Sequence, residues 1–141
     1  MGFIIALISG ILMSVQGVFN TQVMKQTSMW VSAGFVQLTA LFVCVMAWLF
    51  TERKSISGIM NVSPRYMLLG GVIGAFITYT VIKSMEIMGP AKAVMVIVIS
   101  QIVSAYLIEV IGLFGVEKTG FDWKKFVWAA AASIGVFMFS R

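Results

Sequence analysis

The chain has 141 residues, 60% of them hydrophobic and 11% charged, with a mean hydropathy of +1.02 and a formal net charge of +5. These shares exclude an ordinary soluble domain. A hydrocarbon core roughly 30 Å thick needs about 20 apolar residues per crossing, so the length permits four or five crossings and no separate soluble domain.

The basic excess does not describe a nucleic-acid surface, because the ten Lys and Arg residues stand singly or in pairs between hydrophobic runs. Such placement suits membrane orientation and contact with lipid headgroups, so membrane lipid is an expected partner and nucleic acid is not. Long apolar runs predict an all-α integral membrane bundle, a single transmembrane domain over 1–141, with helices near 3–24, 29–50, 66–88, 91–113 and 123–140. The first run begins directly after Met1 with no Lys or Arg before it and exceeds a signal-peptide core in length, which predicts a retained helix.

Along the first helix, Gly2, Ser9, Met13, Gln16 and Asn20 fall on one stripe, with Ala6, Gly10 and Gly17 beside it. Gln16 and Asn20 are one turn apart. Amides in hydrocarbon need partners, so this face should meet another helix or line a solute cavity rather than face lipid. The second helix aligns Trp30, Gln37, Cys44 and Trp48, which makes Gln37 its one deeply placed, strongly polar side chain; Cys44 reads as a small packing residue.

The connection Thr51–Arg65 leads to a third helix with two small-residue pairs, Gly70 with Gly74 and Gly71 with Ala75, suited to close helix packing. Phe76, Tyr79, Lys83 and Glu86 lie on its other side, and Lys83 and Glu86 are spaced to pair. Gly89-Pro90 marks a stop and a restart. The fourth helix carries Ser100, Gln101, Ser104 and Glu109. An intramembrane carboxylate is a candidate proton carrier, and its nearness to a helix end equally allows a structural role. The fifth, shortest run has Trp123 and Trp128 as interfacial anchors and a smooth face around Ala131 and Gly135 for packing or dimer contact.

With short connections, neighbouring helices should be antiparallel. Five crossings then put Arg53, Lys54, Arg65, Lys118, Lys124 and Lys125 on one side and Lys25, Lys83, Lys92 and Arg141 on the other. Six against four is a weak bias towards an inside N-terminus, and insertion in both orientations stays open.

No enzyme is expected. Histidine is absent, the carboxylates Glu52, Glu86, Glu109, Glu117 and Asp122 lie mostly in connections, and no phosphate-binding glycine loop is present. No metal or cofactor is expected either.

Three stretches together resemble the small YdcZ-like inner-membrane family of the drug/metabolite transporter superfamily. They are Val15-Gln16-Gly17-Val18-Phe19-Asn20, Leu69-Gly70-Gly71-Val72-Ile73-Gly74-Ala75-Phe76, and Ser100-Gln101-Ile102 followed by Ile108 to Gly115. Ser100 and Glu109 replace the glycine and aspartate that are usual in the last pattern. The resemblance implies a multi-pass protein of the bacterial inner membrane, built as half of an inverted-repeat transporter and completed by an antiparallel homodimer. On that reading Gln16, Asn20, Gln37, Tyr79 and Gln101 bind a small-molecule substrate, and Glu109 or Glu86 couples transport to protons. A non-transporting subunit of a larger complex and a passive channel are the alternatives.

Overall fold

The computed structural model describes residues 2–51 and 55–140, the side chain of Ser140 excepted. Arg53, Lys54 and Arg141, three of the charges used in the orientation count, therefore lie outside the described residues, as does Glu52. The described chain is all α-helix and turn. Five helices follow one another: α1 Gly2–Gln26, α2 Met29–Thr51, α3 Gly70–Met88, α4 Pro90–Ile111 and α5 Trp123–Ser140.

The contacts divide the chain into two compact units, residues 1–87 and 88–141. In the first, α1 and α2 form an antiparallel hairpin across a two-residue link. Thr27 donates its N–H to the Val23 carbonyl, and the Ser28 hydroxyl accepts from the Val31 N–H at 3.4 Å as α2 begins. Ser32 Oγ donates to the Asn20 carbonyl at 2.8 Å, tying the two helices side by side. A single-turn 3₁₀ helix at Arg65–Leu69 leads into α3, so the regular helix starts four residues later than the run predicted from residue 66.

The interior of this unit combines small and polar residues, Gly17, Thr21, Ser32 and Ala33, with the larger apolar Ile82 and Met85. Large apolar side chains such as Phe3, Phe19, Leu38 and Phe42 are exposed. That distribution reverses the rule for proteins in water and is what a lipid solvent permits, since tails are as apolar as leucine and packing is decided by close approach. Gly17 provides the closest approach. A Cβ built there would stand 2.5 Å from Met85 Cε and 2.9 Å from Met85 Sδ, so α1 and α3 touch through a missing side chain.

The second unit contains α4 and α5. Gly89 has φ +81° and precedes Pro90, the first residue of α4, while Gly112 adopts the left-handed conformation (φ +74°) and donates its N–H to the Ile108 carbonyl to end the helix. These two glycines occupy backbone conformations that a side chain would strain, which fixes both helix ends. Asp122 caps α5: its carboxylate accepts from the Lys124 N–H at 2.8 Å, and its carbonyl accepts from the Phe126 N–H.

Among the described residues four segments are long and apolar enough to cross a bilayer: Gly2–Gln26, Met29–Thr51, Arg65–Met88 and Pro90–Ile111. α5 has 18 residues, a rise of about 27 Å, near the hydrocarbon thickness, with Lys124 and Lys125 in its first turn.

Candidate functional site

In the first unit a wide groove of about 590 Å³, open on its outer side, lies along α1. Its wall is the stripe predicted for α1, with Ser9, Met13, Gln16 and Asn20 joined by Phe19 and by Val36 of α2. No charged residue lines it. Ser9 spends its hydroxyl hydrogen on the Ile5 carbonyl, one turn back. The amide side chains of Gln16 and Asn20 make no hydrogen bond among the described residues; the bond from Ser32 goes to the Asn20 backbone carbonyl and leaves its side chain free. Two free amides one turn apart, set among Met and Phe, offer donors and acceptors to a solute without a fixed charge.

Gln37 and Tyr79 are placed differently. Gln37 Nε2 donates to Thr78 Oγ1 at 3.3 Å, and Thr78 in turn donates to the Gly74 carbonyl at 3.0 Å, so this amide bridges α2 to α3. Tyr79 stacks on Trp30, ring centroids 5.1 Å apart and planes 25° from parallel. The sequence had aligned Trp30 and Gln37 on one stripe of α2 without indicating that α3 meets it. Two aromatic residues separated by 49 positions carry no local signal of their stacking.

Gln101 belongs to the second unit, where it is exposed on α4 and makes no hydrogen bond among the described residues. Both candidate coupling carboxylates are ion-paired. Glu86 Oε2 accepts from Lys83 Nζ at 2.8 Å, one turn apart on α3 as the spacing predicted. Glu109 Oε2 accepts from Lys125 Nζ at 3.3 Å, joining the end of α4 to the start of α5. Tyr106, which the sequence reading passed over, braces the same corner: its hydroxyl donates to the Asp122 carbonyl and accepts from the Asp122 N–H, both at 2.9 Å.

The glycine faces are open within the chain. A Cβ added at Gly70, Gly71 or Gly135 meets nothing within 4 Å, and at Gly74 only Gln37 Nε2 at 3.9 Å; Ala75 is half-buried and Ala131 exposed. Cys44 is likewise exposed. Among the described residues no three His, Cys, Asp or Glu side chains gather as metal ligands would.

Long apolar helices whose large apolar side chains are exposed, with unpaired amides along α1, make this an all-helical, multi-pass membrane protein. The chain belongs to the family described as "Putative inner membrane exporter, YdcZ", whose sequence model matches residues 1–138. It is thus an inner-membrane protein, and that family's description is of a transporter and not of an enzyme. No curated protein and no solved structure matches the chain.

Proposed function

We propose that the protein exports a small organic solute across the inner membrane and works as an antiparallel homodimer. The observation that carries the reading is the pair of free amides, Gln16 and Asn20, on the wall of the groove along α1. An unpaired amide in hydrocarbon is costly, and a solute or the facing helix of a second copy removes that cost. The lining carries no charge and offers Phe19 and Met13 as apolar contacts, which suits a neutral, zwitterionic or delocalised cationic solute.

The open faces at Gly70, Gly71 and Gly135 support a second copy, since bare small-residue surfaces are where membrane helices approach one another. An odd number of crossings would put the termini on opposite sides, and two copies in opposite orientation would give the inverted symmetry of alternating-access transporters. Gln37 and Tyr79 of the first unit, held between α2 and α3, and separately Gln101 on α4 of the second unit are further candidates for substrate contact.

Glu109 and Glu86 are the two carboxylates inside described helices and so the candidates for coupling, each held through one oxygen by a lysine. Crosslinking and mass measurement in mild detergent, with C-terminal reporters for each side of the membrane, test the assembly. A self-contained dimer with both reporters active is expected. A monomer, or an obligate foreign partner, would replace this reading with that of a subunit.

A further inference from the structure

The ion pair at the α4–α5 corner, whose Glu109 is also a coupling candidate, sits at the end of another groove that shares no lining residue with the one along α1. Glu109 lies in the last turn of α4 and Lys125 in the first turn of α5, and residues 112–122 join the two helices, so both charges stand at one membrane face. Their side chains are 43% and 53% exposed respectively. Phe121, Trp123 and Phe126 cluster with one another around the start of α5, with Trp123 and Phe126 stacked at 5.4 Å, as aromatic residues do at headgroup depth.

From this level the groove, of about 500 Å³, runs between the two helices along Ala105, Trp128 and Ala129 to Ile102 and Ala132. At 1.5 Å per residue, Ile102 and Ala132 lie roughly 13 Å from the adjoining ends of their helices, close to the middle of a bilayer. The groove therefore has a charged head at the interface and an apolar tail in the hydrocarbon, which is the outline of a lipid. The three alanines leave it wide.

We propose that this groove binds an aminophospholipid with an ethanolamine headgroup. Its phosphate diester accepts from the Lys125 ammonium and its primary ammonium donates to the Glu109 carboxylate, so the headgroup bridges the two side chains in place of their direct contact. One acyl chain follows the alanines towards Ile102.

The charge pattern selects this class. An anionic lipid satisfies Lys125 but meets Glu109, whereas a zwitterion satisfies both. A trimethylammonium group has no N–H to give to the carboxylate, while an ethanolamine ammonium has three. Asp122, whose Oδ1 accepts from the Lys124 N–H, does not line the groove. A half-exposed ion pair in a wet interface contributes little of its own stability, so opening it to admit a headgroup costs little. The acyl chain exchanges lipid neighbours for equally apolar protein, which leaves discrimination to the headgroup.

The test is native mass spectrometry of the full-length protein in mild detergent, titrated with phosphatidylethanolamine, phosphatidylglycerol and phosphatidylcholine of identical chains, and with glycerophosphoethanolamine. Phosphatidylethanolamine is expected to be retained about fivefold better than either other lipid, and the acyl-free headgroup not at all. Glu109→Gln should remove the preference over phosphatidylglycerol, Lys125→Gln should weaken all three lipids because each carries a phosphate diester, and Ala132→Phe should block the groove with the ion pair intact. Circular dichroism of each variant reports folding, and the exchanged pair Glu109→Lys with Lys125→Glu should retain the ethanolamine lipid even if a single variant fails to fold. Equal retention of the three lipids, or a preference for the anionic or the choline lipid, overturns the proposal. So does an ethanolamine preference that Glu109→Gln and Ala132→Phe both leave intact.

Discussion

Gly17 is where the fold of the first unit is most sensitive to one added carbon. A methyl group there would stand 2.5 Å from Met85 Cε and 2.9 Å from Met85 Sδ, with Val81 Cγ1 at 3.4 Å, whereas carbon atoms in good contact sit about 3.5–4.0 Å apart. Roughly 1 Å must be recovered. Met85 is 3% exposed, but the conflicting atoms are the far end of a flexible thioether, so Gly17→Ala is expected to cost about 1 kcal/mol, the low end for overpacking. Gly17→Val adds a branch that the methionine cannot avoid and should cost about 3 kcal/mol. The gain in helix propensity on leaving glycine, about 1 kcal/mol in water, is not credited, because membrane helices stay helical in the unfolded reference state. Met85→Ala alone should cost about 2 kcal/mol, since lipid supplies no hydrophobic penalty beyond the lost contacts. Combined with Gly17→Val it should cost at least about 1 kcal/mol less than the sum, because each change relieves the other. Unfolding in mixed micelles with a rising fraction of denaturing detergent, followed by tryptophan fluorescence, reads all four values. Gly17→Val as stable as the wild type, or a pair of changes additive within about 0.5 kcal/mol, would refute the contact.

Ser32→Ala removes the hydrogen bond to the Asn20 carbonyl and is expected to destabilise the α1–α2 hairpin by about 0.6–1.7 kcal/mol in the same unfolding assay. Tyr106→Phe leaves the Asp122 N–H without its partner and its carbonyl with the Phe126 N–H alone, and should speed backbone amide exchange at Asp122 selectively, with exchange in the α1–α2 hairpin unchanged. In proteoliposomes, Glu109→Gln or Glu86→Gln is expected to abolish accumulation driven by a proton gradient while leaving solute exchange at equilibrium intact. If both variants accumulate solute normally, the transporter runs by facilitated diffusion or solute-for-solute exchange.

The five helices were legible because their signal is bulk hydropathy, and only their ends moved: α3 begins at Gly70 after a 3₁₀ turn, and α4 ends at Ile111 because Gly112 turns left-handed. The stripe of Ser9, Met13, Gln16 and Asn20 was also legible, since helical periodicity alone gathers residues of one helix on one wall. The ion pair Lys83–Glu86 followed from spacing in the same way. Contacts between helices were not legible. Periodicity shows that Gly17, Gln37 and Trp30 each lie on a face but not which helix meets it, so Met85, Thr78 and Tyr79 emerge as their partners only in three dimensions. Tyr106 was missed for a related reason: its partner is the backbone of Asp122, which no side-chain pattern announces.

Solute transport by the purified protein, with and without its two free amides, tests the central claim most directly. Wild-type protein in liposomes would be offered radiolabelled neutral, zwitterionic and delocalised cationic solutes, and then compared with Gln16→Leu/Asn20→Leu checked for folding and for assembly state. At least one solute is expected to cross with the wild type. The double variant should lose that transport by at least about tenfold, since each amide removed forfeits a hydrogen bond worth about 1 kcal/mol. A folded, dimeric wild type that moves no solute, or a double variant that moves it at the wild-type rate, would contradict the assignment of the groove along α1 as the transport site.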